Sequence, residues 1–164
     1  MPWRARDVRP PVLRRRASRP QLKRGPLGRK QSMQTIFPIL RYNDARSAVR
    51  WLCATFGFSE VFSVPESGQI VRHAQLKLGT NVVMLGSVRP DDGMTSPQGL
   101  GAATQGLCVY VEDLDAHFQQ ARSAGAEITS PPKDTDFGSR EYHVRDLEGH
   151  PWTFGTYLPD AARG

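Results

Sequence analysis

The alternation of apolar and polar residues predicts a strand followed by a helix near the start of a compact domain. Residues 35–44 alternate as a strand does, and they end on Asp44, a residue type that caps helices. The next apolar residues recur at intervals of three and four, forming one stripe along a helix: Val49, Leu52, Cys53 and Phe56. Gly57 stands where a glycine commonly ends a helix.

Three strand-like segments follow this helix. They span residues 59–64, 69–78 and 81–86, and Gly79-Thr80 joins the last two as a turn. The pattern thus predicts a βαβββ unit over residues 34–86.

The same order of elements recurs 69 residues later, from Asp44 to Asp113 and from Met84 to Thr153. Its predicted elements are a strand at 106–113, a helix at 114–125 and three strands at 126–130, 139–146 and 151–157. We therefore predict an α+β fold of two βαβββ modules, residues 34–86 and 105–158, joined by a linker at 87–104. The two sheets are expected to curve around a cleft, with one helix on the outside of each.

The charge distribution separates residues 1–33 from this domain. The chain has 164 residues and a formal net charge of +6. Residues 1–33 hold eleven Lys and Arg and one acidic residue, and five of the thirteen prolines; the remaining residues sum to −4. We predict that residues 1–33 are a disordered basic leader and that residues 159–164 form a C-terminal tail.

Two interpretations of the leader stay open. The first is that translation starts at Met33, two residues before the first predicted strand. The second is a basic arm that contacts nucleic acid through residues such as Arg14–Arg16; a transit peptide would be Arg-rich too, but no amphipathic stripe is present. Nucleic acid is an expected partner only through this leader.

The remaining composition is that of a soluble cytoplasmic domain. Its two cysteines, Cys53 and Cys108, have no disulfide or zinc-site spacing. No apolar run approaches the roughly 18 residues of a membrane span. We expect neither a disulfide framework nor a membrane partner.

Two segments carry a resemblance to a known superfamily, residues 70–85 and 137–157. With the tandem βαβββ order, they resemble the vicinal oxygen chelate superfamily of glyoxalase I, bleomycin-resistance proteins and extradiol dioxygenases. The His-Ala-x-Leu strand and the Asp-x-x-Gly-His-x-Trp ending look most like a bacterial glyoxalase-like subgroup associated with phosphonate-utilisation operons. The matching residues are Arg140, Asp146, Gly149, His150 and Trp152.

The resemblance also identifies where metal-dependent members hold a divalent cation, on the first and last strand of each module. Carried over by register, these positions are Phe37, Met84, Gly106 and Thr153. None is a competent ligand for a hard divalent metal, although Thr is a weak neutral oxygen donor. We therefore expect no metal and no other cofactor, and the glyoxalase and dioxygenase chemistries would lack their Lewis acid.

The expected site is instead an apolar cleft that binds a small organic ligand. The resemblance places Phe37, Met84 and Thr153 in this cleft, and strand alternation adds Ile39, Arg41, Cys108 and Tyr110. His73 is expected to form hydrogen bonds there. The metal-free bleomycin-resistance proteins are dimers that sequester an antibiotic in such clefts, which the resemblance implies here as a homodimer with a drug-sequestering role. The alternative is a glyoxalase-type lyase or isomerase with a displaced divalent-metal site.

The other polar candidates have both functional and structural interpretations. Glu141, Tyr142 and His143 could supply a general acid or base, but an ordinary strand with alternating faces is the favoured interpretation, and catalytic residues are not assigned. His117 is expected on a solvated helix face, and the His150 ring is expected to bind local backbone. Trp51 lies off the helix stripe and predicts partial exposure.

Overall fold

The computed structural model describes residues 34–159, which form two modules joined by a partly helical connection. The first module comprises β1 (Ile39–Tyr42), α1 (Ala45–Phe56), β2 (Ser59–Val64), β3 (His73–Leu78) and β4 (Asn81–Ser87). The connection contains a 3-10 turn at Pro90–Asp92 and the short helix α2 (Pro97–Leu100). The second module comprises β5 (Leu107–Tyr110), α3 (Leu114–Ser123), β6 (Glu127–Asp134), β7 (Arg140–Arg145) and β8 (Pro151–Gly155).

Each module forms one four-stranded mixed sheet. The strand orders are β1-β4-β3-β2 and β5-β8-β7-β6. In both sheets the first strand pairs in parallel with the last, and the other pairs are antiparallel. The prediction of an α+β fold with two βαβββ modules is confirmed.

Both predicted helix starts are confirmed by their caps. The Asp44 side chain accepts a hydrogen bond from the Ser47 amide, and the Asp113 side chain accepts one from the Ala116 amide. Gly57 ends α1 in the left-handed conformation at φ 75°, which side chains rarely adopt.

Several strand boundaries differ from the sequence pattern. Pro38 has no amide hydrogen to donate and β1 begins one residue after it, although the Pro38 carbonyl still accepts from the Met84 amide at 2.9 Å. β3 begins at His73 rather than at residue 69, whereas β6 continues to Asp134 past two prolines. β6 is an edge strand with register shifts, and prolines are tolerated there because fewer amides must pair.

The two modules share one hydrophobic core. The Phe56 ring at the end of α1 packs 5.5 Å from Trp152 and 4.7 Å from Phe154, both on β8. Helices α1 and α3 contact each other, and the helix-facing sides of both sheets belong to the same buried cluster. Each helix packs on its own sheet and the two helices also meet in this core, because burying apolar side chains of both modules together removes more apolar area from water.

The Asp-x-x-Gly-His-x-Trp segment ties the second module to the first. Asp146 Oδ2 accepts hydrogen bonds from the Tyr42 hydroxyl at 2.6 Å and from Trp152 Nε1 at 3.1 Å. The Glu148 carboxylate accepts from the backbone amides of Asn43 and Asp44 at 2.7 and 2.8 Å. Both carboxylates are buried, so they secure the start of α1 against the β7–β8 turn.

Two histidine predictions are corrected by this packing. His117 is not on a solvated face: its ring centroid lies 4.2 Å from that of Phe154, and its ring nitrogens bond the Tyr142 hydroxyl at 2.8 Å and the Phe56 carbonyl at 3.2 Å. The His150 ring donates to the Arg41 carbonyl at 2.9 Å, which is backbone of the other module and not local backbone. Both contacts join the modules, and so the periodicity of one element could not indicate them.

The remaining predictions concern exposure and the chain ends. Trp51 is half-buried and packs edge-on against Phe56, which agrees with its position beside the helix stripe. The predicted basic leader at 1–33 and most of the tail at 159–164 fall outside the described residues. Among residues 34–159, no helix has the length and apolar character that crossing a membrane requires.

Candidate ligand-binding faces

The predicted cleft residues lie on the sheet faces that point away from the shared core. In β1, Leu40 and Tyr42 are buried on the helix side, which turns Ile39 and Arg41 to the opposite face. In β5, Cys108 and Tyr110 alternate in the same way. We call these surfaces the module 1 face (Phe37, Ile39, Arg41, Phe62, His73, Gln75, Met84) and the module 2 face (Cys108, Tyr110, Glu141, His143, Thr153).

The module 1 face carries a mainly apolar row across four strands. Backbone pairing aligns Ile39 with Met84, Met84 with Gln75 and Gln75 with Phe62. His73 lies at its end, where its ring centroid is 5.4 Å from that of Phe62 and Nε2 is 3.3 Å from the Gln75 amide nitrogen. Two members of this row, Phe62 and Gln75, were missed by sequence reasoning; the alternation of β2 and β3 was the signal that could have found them.

The module 2 face carries a polar row at the equivalent place. Cys108 aligns with Thr153, and Thr153 aligns with His143. His143 Nδ1 lies 2.9 Å from Thr153 Oγ1, and Nε2 lies 3.2 Å from Glu141 Oε1. These contacts hold the imidazole between a hydroxyl and a carboxylate, an arrangement that can move a proton.

Cys108 is not an activated thiol. Burial, with a smaller contribution from the Glu141 charge, raises the pKa of Cys108, and burial likewise raises the pKa of Cys53. A raised pKa lowers the fraction of thiolate, which is the nucleophilic form.

Two separate cavities take in parts of the two faces. Ile39 and Arg41 line a cavity of about 320 Å³ together with residues of the connection, including Met94, Ser96 and Gln105. Cys108 and Tyr110 line another of about 650 Å³ that also touches Val82. The lining of neither includes Phe37, His73, Met84 or Thr153. A single chain therefore does not bring the eight predicted residues into one of these cavities.

The residues present do not fit the divalent cation that the fold family implies. The strand pairing places Ile39 beside Met84 and Cys108 beside Thr153, while Phe37 and Gly106 stand two residues earlier on the same faces. Whether the paired residues or those two positions earlier are considered, the side chains offer only hydrocarbon, thioether, thiol and hydroxyl groups. None is a carboxylate or an imidazole, which such an ion requires. Within residues 34–159, no group of three His, Cys, Asp or Glu is placed to hold a metal.

Comparison with known proteins agrees with this fold. An uncharacterised protein of Mycobacterium bovis is 34% identical over 122 residues, which cover 72% of this chain and 80% of that protein. The crystal structure of TioX from Micromonospora sp. ML1 is similar at 36% identity with a TM-score of 0.63, over 76% of this chain and 100% of that chain.

A more distant structure shares the fold alone. It is a mutant of the genomically encoded fosfomycin resistance protein FosX from Listeria monocytogenes, complexed with Mn(II) and 1S,2S-dihydroxypropylphosphonic acid. Its identity is 14% and its TM-score 0.57, over 74% of this chain and 88% of that chain. Residues 34–154 match the family profile described as Glyoxalase/Bleomycin resistance protein/Dioxygenase superfamily. The two βαβββ modules and this match together show that the chain belongs to the Glyoxalase/Bleomycin resistance protein/Dioxygenase superfamily.

Proposed function

We propose that the protein binds a small organic molecule between the module 1 face of one chain and the module 2 face of a second copy, without a catalytic divalent metal. The observation that carries this proposal is the exposure of large apolar side chains on both faces. Ile39 and Phe37 are each 43% exposed, Phe62 is 41% exposed and Tyr110 is 50% exposed. Contiguous apolar surface of this kind typically marks a ligand or partner site.

The way the modules pack supports a homodimer as part of this proposal. Both modules bury their helix sides in one core, which leaves the two faces of a chain directed away from that core. A second copy related by a two-fold axis would set its module 2 face against the module 1 face, and the reciprocal contact would form a second equivalent site. Each site would then be half apolar row and half polar row.

Drug sequestration is the concrete form of this binding role. An apolar row with Ile39, Met84 and Phe62 suits a flat or flexible organic ligand, and Met adapts readily to irregular shapes. The phosphonate-operon subgroup is a finer proposal with less support, because Asp146, His150 and Trp152 of its motif join the modules instead of facing the site.

Equilibrium dialysis against a panel of aromatic and peptide-like antibiotics, bleomycin included, tests the binding role. At least one compound should bind at micromolar or lower concentration, be recovered chemically unchanged, and bind equally with and without a chelator. An Ile39→Asp variant should lose this binding. Ile70→Asp is the matched control, since Ile70 is 65% exposed but belongs to neither face. Unchanged binding by Ile39→Asp would exclude the module 1 face.

A second candidate function is proton transfer on a bound substrate. The Glu141–His143–Thr153 contacts favour it, because the carboxylate can stabilise the imidazolium that forms when His143 takes a proton. This role would make the protein a lyase or isomerase. Turnover of a bound compound, lost in His143→Gln but not in Ile70→Asp, would support it. Elemental analysis showing about one Zn, Ni, Mn or Fe per chain would instead indicate the displaced metal site.

A further inference from the structure

Arg41 is a buried cation that the fold leaves largely unpartnered. The residue is 9% exposed, and its Nε atom is buried with no hydrogen-bond partner among the described residues. An Nη atom of the same side chain contacts the Met94 sulfur at 3.8 Å, and a thioether is a weak acceptor. None of the ion pairs found within residues 34–159 includes Arg41. A buried cation without an anion is costly, so its retention calls for an explanation.

The module fold itself does not require a guanidinium at this position. The guanidinium lies over Gly86, where a Cβ atom would stand only 2.8 Å from Arg41 Nη1. The second module has the same pair of strand positions, occupied by Tyr110 and Gly155. Tyr110 has no guanidinium and is half exposed there. Equivalent strands therefore pair with or without a guanidinium, and the guanidinium at this position is specific to the module 1 face.

The charges around Arg41 leave an excess of positive charge, which favours binding of an anion. Burial first, and then the nearby Arg89 charge, lower the pKa of Arg41, whereas Asp92 has a smaller opposite effect. Asp92 does not neutralise Arg41 alone, because its carboxylate also pairs with the Arg89 guanidinium at 3.5 Å. An arginine stays charged over the whole physiological pH range, so the local excess of positive charge persists.

The cavity beside Arg41 has the size and the donors to admit a small anionic group. Its volume is about 320 Å³, and Ser96 of the connection lines it opposite β1. Ser96 Oγ already accepts from the Asn43 side-chain amide at 2.9 Å and from the Gly99 amide at 3.2 Å. Its hydroxyl proton therefore has no assigned acceptor within the described residues and can be donated to a ligand oxygen.

We propose that the Arg41 guanidinium binds an anionic group of the ligand, a carboxylate or another oxyanion, in the cavity that this residue lines. This inference rests on the proposed function, because Arg41 shares the module 1 face with Ile39. It assigns the ligand to a chemical class: an acidic organic molecule whose apolar part lies along the Ile39–Met84 row and whose anion enters the cavity under the connection. Bidentate binding to a guanidinium is among the stronger polar contacts in proteins.

Benzoate and benzamide are suitable probes, since they have nearly the same shape and differ in charge. Binding of each to the full chain is measured by amide chemical-shift titration at constant ionic strength. Benzoate should bind at least about tenfold more tightly than benzamide, which is the order expected of a charge-assisted hydrogen-bonded pair. Arg41→Met should abolish that preference. Arg50→Met is the control, because Arg50 is an exposed arginine on α1 and should keep the preference.

A variant that retains charge guards against loss of folding. Arg41→Lys should fold and keep part of the preference for benzoate, since it retains the charge but not the planar fork. Equal binding of benzoate and benzamide to the native protein, or a preference that survives in Arg41→Met, would overturn the inference. If neutral antibiotics bind while benzoate shows no preference, the proposed function stands and this inference fails. If benzoate binds through Arg41 while no antibiotic binds, the anion site at Arg41 stands and the proposed drug-binding function fails.

Discussion

Replacing Asp146 tests whether the contact between the modules is a main source of stability. Its carboxylate is 4% exposed and accepts four hydrogen bonds, from the Tyr42 hydroxyl, Trp152 Nε1 and the backbone amides of Glu148 and His150. In Asp146→Ala, the buried Tyr42 hydroxyl and Trp152 nitrogen would lose their acceptor. An unsatisfied buried donor costs about 1–3 kcal/mol, so we expect a loss of about 3–5 kcal/mol in the free energy of unfolding.

A graded series separates the hydrogen bonds from the space that the side chain fills. Tyr42→Phe removes one charge-assisted bond and leaves the carboxylate three donors, so about 1.5–3 kcal/mol should be lost. Asp146→Asn keeps the shape but turns an amide nitrogen towards one pair of donors, and its loss should lie between the other two.

Urea unfolding followed by tryptophan fluorescence, at one fixed protein concentration, measures these differences. Asp115→Asn is the control, because the Asp115 side chain is 71% exposed and lies 3.5 Å from Arg140 in a surface pair, which typically contributes less than about 1 kcal/mol. If the free energies of unfolding of Asp146→Asn and Asp146→Ala both lie within about 0.5 kcal/mol of that of the native protein, the carboxylate does not hold the modules together and the reasoning is wrong.

Three further predictions concern titration, reactivity and assembly. Burial lowers the pKa of His117 from its ordinary value of 6.5, so the unfolded chain takes up this proton first. The free energy of unfolding should therefore be fully retained above about pH 6.5 and decrease as the pH falls towards the lowered pKa. This decrease should be smaller in His117→Gln. An equal dependence of the free energy of unfolding on pH in both proteins would contradict the prediction. Cys108 should react with iodoacetamide more slowly than a free cysteine at pH 7.5, and Glu141→Gln should speed the reaction because the Glu141 charge helps to raise the thiol pKa. Sedimentation equilibrium should show a dimer that Tyr110→Asp weakens and Ile70→Asp does not, since Tyr110 lies on the module 2 face; a monomer at micromolar concentration would contradict the shared site.

Much of the site could be anticipated from strand alternation. Ile39, Met84, Cys108 and Thr153 lie on the outward faces because alternate residues of a strand point to opposite sides. Strand alternation could not show how far each side chain is buried by the rest of the chain. Arg41 and Ile39 share a face, yet Arg41 is buried because the connection between the modules lies over it.

The sequence by itself determined the elements, their order and the 69-residue repeat. These follow from local periodicity and from short-range capping, as at Asp44 and Asp113, whose partners lie three residues away. The absence of a hard-metal donor at Phe37, Met84 and Thr153 was also readable, because it concerns residue type alone.

Only the tertiary structure decided how the modules meet. The bonds of Tyr42 to Asp146 and of His150 to Arg41 join residues more than 100 positions apart, and the periodicity of one element carries no information about such pairs. Packing of α1 and α3 into one core then fixed which surfaces remain outward. The physical reason is that helix stripes and strand alternation specify which side of an element is apolar, whereas the partner that covers this side is selected by the fit of the whole chain.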